Sequence, residues 1–196
     1  LTLKTLENRA NEAVGHWDRV RNFSVSIGKK MGFFGQGLFE LELSGLLHDI
    51  GKVALPREIL EDSRILSPAE RKQIETHSVL GAAMIKEIPG LEKVAESVLC
   101  HHESPDGSGY PKGLSASEIP LSALIVGAVD SFDAMTHYRP YAFERTYQES
   151  LSELFKLPGK YDDRVLWALQ ETLKCFGMLD TKPGEPSTTA NLKPLE

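Results

Sequence analysis

The sequence predicts an all-α fold, a bundle of about seven helices, and two observations support this prediction. Apolar residues recur at alternating spacings of three and four, which is the period of a helix with one buried face. No segment shows the regular apolar and polar alternation of a half-buried strand. The 196 residues, 41% of them hydrophobic, are enough to build one domain around a substantial core.

The predicted helices follow one another along the chain. The first covers residues 3–31 and the second residues 39–50, each with an apolar stripe at helical spacing. The third begins with the sequence SPAE, in which Ser67 is an N-cap and Glu70 completes a capping box, and it extends to about residue 86. Four further helices are predicted at 91–102, 120–135, 143–155 and 163–176.

One domain is expected at residues 1–178, followed by a flexible C-terminal tail at 179–196 that lacks apolar periodicity. The last two residues, Leu195 and Glu196, are of the kind that a cloning vector leaves. Because a helical pattern starts at Leu1, we expect this chain to be a piece of a longer protein. Within the domain, residues 103–120 form the one long internal loop that is dense in turn residues.

Composition excludes several classes of protein. The net charge of −6 and the pI near 5.6 argue against binding of long nucleic acid, although a local basic pocket for a small phosphate ligand stays open. The two cysteines, Cys100 and Cys175, form no CxxC pair and are predicted to be packing residues in a reducing compartment. No apolar run approaches the roughly 20 residues that span a bilayer, and no signal segment is present, so a cytoplasmic location is predicted.

Several polar residues fall on helix faces that border the core. At about 100° per residue, Glu12 and His16 lie beside the apolar stripe of the first helix. His77 lies on the inner face of the third helix, and Asp130 and Asp133, three residues apart, share an inner face further along the chain. These faces predict side chains that point toward the interior.

Five histidines and two aspartates from five separate helices meet this description: His16, His48, His77, His101, His102, Asp49 and Asp130. A single inward histidine is most often satisfied by a carbonyl oxygen. Burying so many ionisable groups is costly unless metal ions or fixed partners satisfy them. We therefore predict a metal centre, in which the adjacent pair His48 and Asp49 can serve two ions with a bridging carboxylate.

These residues belong to a series of sequence blocks with a fixed order. The blocks are HDIGK at 48–52, the lone His77, HHE at 101–103, DGSGYP at 106–111 and VDSFDAMTHYRPY from Val129. This series resembles the HD-GYP family of bacterial phosphodiesterases, a branch of the HD metal-dependent phosphohydrolases, and the match covers about residues 12–142. The resemblance implies an all-helical bundle with metals in its middle. It also implies hydrolysis of cyclic di-GMP to linear pGpG, and in some members onward to GMP.

The resemblance also implies a set of metal ligands. A pair of divalent ions would be bound by His48, Asp49, His77, His101, His102 and Asp130. Some members hold a third ion through a glutamate four residues before the first-helix histidine, which corresponds here to Glu12 and His16. The alternative is that Glu12 is a surface acid. Iron or manganese fits the family best, zinc, nickel and cobalt stay open, and five histidines disfavour magnesium alone.

The implied reaction is attack of a metal-bridging hydroxide on the phosphodiester, with Asp49 as a catalytic residue. Lys52 and Arg139 are predicted to bind phosphate oxygens, the alternative for both being a solvated loop charge. Asp133 is predicted to orient Lys52 or a metal ligand, or to accept a proton, and the alternative is a helix cap. Tyr110 is predicted to contact a base or phosphate.

Other predictions concern neighbours of these residues. Glu103 is predicted to hydrogen-bond to a ligand histidine. Ser104 and Pro105 stand where family members commonly have a basic and an aromatic residue, a departure expected to alter the base pocket. The resemblance further implies an adjoining receiver or sensory domain and contact of the GYP loop with a diguanylate cyclase. Two alternatives remain for function, a noncatalytic effector that binds cyclic di-GMP or a protein, and an HD phosphohydrolase acting on nucleoside phosphates.

Overall fold

Helices form nearly all of the regular structure. The computed structural model describes residues 3–61, 66–136 and 145–179, and in these ranges the chain is all-α, as predicted. The α-helices are α1 Leu3–Ala10, α2 His16–Lys30, α3 Gly35–Leu47, α4 Arg57–Glu61, α5 Pro68–Glu75, α6 His77–Lys86, α7 Glu92–Cys100, α8 Leu121–Thr136, α9 Tyr147–Phe155 and α10 Asp163–Cys175. Two 3₁₀ helices cover Ile50–Ala54 and Ala116–Glu118. The pairing of Asp106 with Ser115 is an isolated β-bridge.

The first predicted helix is divided in two, so the prediction of one helix over 3–31 is wrong. Asn11 and Gly15 both adopt positive φ, at 57° and 75°, which breaks the helical path between α1 and α2. The buried carboxylate of Glu7 accepts hydrogen bonds from the backbone N–H groups of Trp17 (3.0 Å) and Gly15 (3.4 Å). Glu7 therefore supplies acceptors for the first turn of α2, the helix that begins at His16.

The third predicted helix is also divided, because the chain turns at Thr76 between α5 and α6. The capping box of Ser67 and Glu70 is present, as predicted. Helix α5 has no buried residue, whereas α6 buries His77 and its neighbours, so the two segments have different environments. The short helix α4 was not predicted.

Helix α8 lies at the centre of the core. Ile125, Val129 and Phe132 of α8 are fully buried, and residues of α2, α3, α9 and α10 complete the same cluster. Helices α6 and α7 pack against each other in a second, smaller cluster that includes Ile85 and Val98. Both clusters border the polar residues of the predicted metal centre.

Three other predictions concern the ends and surface of the chain. Cys100 is buried, as predicted, but the expectation that Cys175 is a packing residue is wrong, because its side chain is exposed. Residues 180–196, which make up almost all of the predicted tail, lie outside the described residues. No helix in the described ranges has the length and apolar character needed to cross a membrane.

The turn after Asp49 presses closely against α6. A Cβ atom on Gly51 would lie 1.9 Å from the carbonyl oxygen of His77 and 2.6 Å from the amide nitrogen of Gly81. Only glycine allows this approach without moving the backbone of one segment. The contact brings Asp49 and Lys52, on either side of Gly51, next to the first residue of α6, His77.

Substitution of Gly51 tests this contact. Gly51→Ala should lower the free energy of unfolding by at least about 2 kcal/mol, because the new methyl group meets backbone atoms that cannot rotate away. Gly37→Ala in α3 is the matched control, since its Cβ would lie 3.8 Å from its nearest neighbour. The control should be neutral or stabilising by up to about 1 kcal/mol. Urea unfolding of both variants gives the comparison, and equal stability would contradict the packing described.

Candidate metal centre

Side chains from five helical segments converge, from the ends of α2, α3, α6 and α7 and from the interior of α8. All seven predicted inward ligands lie in this cluster: His16, His48, Asp49, His77, His101, His102 and Asp130. His48 and Asp49 follow the last residue of α3, and His101 and His102 follow the last residue of α7. His16 and His77 are the first residues of their helices. Helix ends thus position most of the cluster.

The cluster consists of two groups that share one carboxylate. One group is Asp49, His77, His101 and His102, and the other is His16, His48 and Asp49, with potential ligand atoms within 4.8 Å of one another in each. Asp49 Oδ1 lies 3.1 Å from His77 Nε2, whereas Asp49 Oδ2 lies 3.3 Å from His48 Nε2. The two oxygens of Asp49 therefore face different groups.

Asp130 adds a second carboxylate to the group that contains His16. Its Oδ1 lies 3.4 Å from His16 Nε2 and 3.8 Å from His48 Nε2. The structure thus places His16 beside His48, whereas the resemblance assigned His16 with Glu12 to a separate third ion. Asp130 is 15% exposed, so this group borders solvent on the side of α8.

Hydrogen bonds to the backbone fix the orientation of three of these histidines. Nδ1 of His48, His77 and His101 lies 2.7–2.9 Å from a carbonyl oxygen three residues earlier, namely that of Gly45, Ile74 and Val98. A carbonyl oxygen accepts only, so each ring donates its Nδ1–H and directs the lone pair of Nε2 toward the cluster. This is the tautomer that binds a metal ion through Nε2.

These lone pairs converge on a space that suits a cation. His77 Nε2 and His101 Nε2 lie 3.4 Å apart, and His16 Nε2 and His48 Nε2 lie 3.2 Å apart. Asp49 Oδ1 is buried and accepts no hydrogen bond from any described residue. A buried carboxylate oxygen without a donor, surrounded by imidazole nitrogens, is costly unless a metal ion satisfies it. The donor set therefore fits divalent transition metals such as manganese, iron or zinc.

The charge states of His101, His102 and Asp49 agree with metal binding, whereas His48 would have to lose a proton to bind a metal ion. Burial lowers the pKa of His102 to about 4 and holds the pKa of His101 well below its usual range, so both rings are neutral. Burial raises the pKa of Asp49, but Lys52 and His48 outweigh that effect and hold the pKa well below its usual range. For His48, burial lowers the pKa, yet the charge of Asp49 outweighs it and raises the pKa to about 9.

Lys52 lies inside the cluster and is not a solvated loop charge. Its Nζ donates to Asp49 Oδ2 at 2.6 Å and also to Glu12 Oε1. The Lys52 and Glu12 side chains are only 18% and 10% exposed, so the alternative of a surface acid at Glu12 is wrong. Glu12 Oε2 lies 3.8 Å from His16 Nε2. Lys52 thus balances part of the negative charge that Asp49 and Glu12 bring to the site.

Asp133 orients a candidate metal ligand, which is one of the roles predicted for it. Its carboxylate accepts a hydrogen bond from His16 Nδ1 at 2.8 Å and two from Arg19, at 2.7 and 2.8 Å. The alternative of a helix cap is wrong, because Asp133 lies within α8 and is buried. Helical spacing in the sequence places Arg19 on the same stripe as Glu12 and His16, but it does not predict the pairing of Arg19 with Asp133.

The loop after α7, residues 103–114, closes over the cluster. The ring of Tyr110 lies 4.7 Å from the ring of His102, and its backbone N–H donates to the His102 carbonyl. The prediction that Glu103 bonds to a ligand histidine is wrong. Its buried carboxylate accepts the backbone N–H groups of Lys112 (2.7 Å) and Leu114 (2.9 Å), which fixes the loop. Arg139 lies outside the described residues.

Replacing Asp133 tests the two-group arrangement. Asp133→Asn removes the charge that fixes His16, so binding of metal by the His16 group should weaken about 10–100-fold while the His77 group keeps its affinity. Metal titration followed by elemental analysis would then show the loss of one ion per chain. Asp18→Asn is the control, because Asp18 lies on the same helix as His16, is 48% exposed and pairs with Arg21. Unchanged stoichiometry and affinity in Asp133→Asn would refute this role.

The fold and the cluster define a helical protein with histidine and aspartate side chains arranged as metal ligands. The family model for the HD domain matches residues 2–165, and the chain belongs to this family. The cyclic di-GMP phosphodiesterase of Thermotoga maritima is 40% identical over 165 residues, which are 83% of this chain and 45% of that protein. 3'3'-cGAMP-specific phosphodiesterase 1 of Vibrio cholerae is 34% identical over 137 residues, covering 70% of this chain and 32% of that protein.

A solved structure gives the same fold. An HDG"Y"P protein from Bdellovibrio bacteriovorus superposes with a TM-score of 0.65 at 24% identity, over 81% of this chain and 51% of that chain. The resemblance to HD-GYP phosphodiesterases is thus confirmed. The chain spans less than half the length of the two curated relatives described above.

Proposed function

We propose that residues 1–178 form the catalytic domain of a metal-dependent phosphodiesterase that hydrolyses cyclic di-GMP to linear pGpG. The observation that supports this most strongly is the position of Asp49 between two ligand groups. The two relatives described above, a cyclic di-GMP phosphodiesterase and a 3'3'-cGAMP-specific phosphodiesterase, support the substrate class. Further cleavage to GMP is a prediction from the resemblance.

We propose two divalent ions, iron or manganese, with His77, His101 and His102 on one side of Asp49 and His16, His48 and Asp130 on the other. When bound, a pair of such ions neutralises a phosphodiester anion, lowers the pKa of water and stabilises the leaving alkoxide. A third ion at Glu12 is disfavoured in this proposal, because Lys52 already pairs with that carboxylate.

The protein residues around the ions have separate tasks in this proposal. Lys52 uses two of its three N–H donors on Asp49 and Glu12, which leaves one for a nonbridging phosphate oxygen. Asp133 and Arg19 keep His16 in the tautomer that presents Nε2. Tyr110 beside His102 excludes water from one side of the cluster and contacts the substrate. A phosphate contact by Arg139 stays a prediction.

Two partner predictions also remain. An adjoining receiver or sensory domain and a contact between the loop 103–114 and a diguanylate cyclase are implied by the resemblance. Both concern proteins or segments beyond this chain, and pull-down with the intact protein is the measurement that would test them.

Metal content and turnover, measured on one anaerobically purified sample, test the proposed function. We expect two ions per chain and cleavage of cyclic di-GMP. Asp49→Asn should lose the ions and reduce the rate at least about 1000-fold, because both groups lose their shared carboxylate. Asp163→Asn is the control, since Asp163 is exposed at the start of α10, and it should retain both ions and activity.

Two results would contradict the proposal. A fully metallated protein that binds cyclic di-GMP without cleaving it would be a noncatalytic effector. Full activity of Asp49→Asn would mean that the reaction does not depend on the shared carboxylate. Anaerobic handling matters, because loss of metal during purification would make an enzyme behave like an effector.

A further inference from the structure

The start of helix α2 carries a candidate metal ligand but has no cap of its own. His16 is the first residue of α2, and the residue before it, Gly15, has no side chain that could accept hydrogen bonds from the first turn. Gly15 and Asn11 both adopt positive φ, so the chain reaches this helix through a turn and not from a continuous helical segment. Because the N–H groups of a helix start need acceptors, those of α2 depend on another element.

Glu7 of α1 supplies these acceptors. Its Oε1 accepts the backbone N–H of Trp17 at 3.0 Å, and its Oε2 accepts that of Gly15 at 3.4 Å. Glu7 is only 4% exposed, and among the described residues no cationic side chain forms an ion pair with it. A buried carboxylate is costly without donors, and its negative charge is favourable at the N-terminus of a helix. Both effects hold Glu7 and the first turn of α2 together.

The other candidate ligand at a helix start is held differently. His77 is the first residue of α6, but Thr76 before it has helical backbone angles, φ −69° and ψ −13°, so α6 follows α5 without an extended or left-handed residue between them. Gly51 also packs closely against the carbonyl oxygen of His77. Neither support involves α1. Loss of the Glu7 contact should therefore affect the His16 group and not the His77 group.

The backbone position of His16 matters for the geometry of its group. Asp133 fixes the ring at Nδ1, 2.8 Å away, while Nε2 lies 3.2 Å from His48 Nε2 and 3.4 Å from Asp130 Oδ1. The ring is attached to the first residue of α2, so a shift of the first turn moves Nε2 relative to these neighbours. Metal sites tolerate deviations of only about 0.2 Å in ligand distance. A small displacement of the helix start would thus weaken the binding of an ion.

We propose that Glu7 is a positioning residue of the metal centre: by holding the first turn of α2, it determines how tightly the His16 group binds its ion. This inference rests on the two-ion centre of the proposed function but not on hydrolysis. In the described part of the chain, the Glu7 side chain hydrogen-bonds to the backbone of Gly15 and Trp17 and to no candidate ligand. Its effect on the ion is therefore transmitted through the backbone, and α1 supports the metal centre.

Titration of the metal-free full chain with Mn²⁺, with free ion counted by electron paramagnetic resonance, tests this assignment. Glu7→Ala should weaken the binding of one of two ions about tenfold, the low end of the range for residues that support a ligand, while the other ion keeps its affinity. Glu7→Gln should weaken the same ion less, because its amide oxygen still accepts one N–H. Hydrogen exchange at the amides of Gly15 and Trp17 should be faster in Glu7→Ala.

A combined variant shows which group Glu7 supports. Asp133→Asn removes the charge that fixes the His16 ring, so Glu7→Ala and Asp133→Asn act on the same ligand. The protein with both changes should still bind one ion, at the His77 group, with wild-type affinity. Weakening of that second ion would overturn the assignment, because Glu7 would then act on both groups.

Two controls separate positioning from a general loss of stability. Leu173→Ala truncates a fully buried residue of α10 and should lower stability without changing Mn²⁺ binding. Asn8→Ala changes an exposed neighbour of Glu7 on α1 and should leave both ions unchanged. Weakening of Mn²⁺ binding by Leu173→Ala as large as that by Glu7→Ala would refute a specific role. Wild-type affinity for both ions in Glu7→Ala would refute it too, since burial of Trp17 alone would then hold the helix start.

The same measurements separate this assignment from the proposed function. If the wild-type protein binds two ions without cleaving cyclic di-GMP, and Glu7→Ala weakens one of them, the proposed hydrolysis is wrong and the role of Glu7 stands. If the wild-type protein cleaves cyclic di-GMP and Glu7→Ala binds both ions normally, only the role of Glu7 is wrong. If the wild-type protein binds fewer than two ions, the two-ion centre and the role of Glu7 are both wrong.

Discussion

The buried carboxylate of Asp49 is the constraint on which the rest of the site depends. It carries a negative charge in the protein interior, where a charge is stable only with close partners. Lys52 neutralises part of this charge at Oδ2. At Oδ1, the neighbouring imidazole nitrogens leave a space that suits a cation. The close approach of Gly51 to α6 is what puts Asp49 beside His77, so the position of one glycine controls the geometry of both groups.

Two networks of hydrogen bonds support the cluster from different elements of the fold. On one side, Glu7 supports the first turn of α2, and Asp133 and Arg19 fix the His16 ring at the start of that helix. On the other side, Glu103 holds the loop whose Tyr110 packs on His102. The first network orients His16, a candidate metal ligand. The second fixes the loop beside His102, so the two sides of the cluster depend on different polar networks.

Much of the site could be predicted from sequence because helical periodicity reports which residues face inward. His16, His77 and Asp130 were placed correctly on that ground, although the two longest predicted helices are broken at 11–15 and at Thr76. Periodicity misses such breaks because the helical spacing of apolar residues continues across them in the sequence. It also does not predict contacts between residues that are distant in sequence. The bonds of Glu103 form only when the loop 103–114 folds back on itself, and Lys160 reaches Ser108 only when the α9–α10 link packs beside that loop.

The most direct test of the central claim is an anomalous diffraction experiment on crystals loaded with manganese. If Asp49 joins the two groups, two anomalous peaks should appear about 3.5–4 Å apart, with one oxygen of Asp49 bound to each ion. His77 and His101 should bind one peak, and His16 and His48 the other. A single peak, or two peaks of which only one contacts Asp49, would contradict the account.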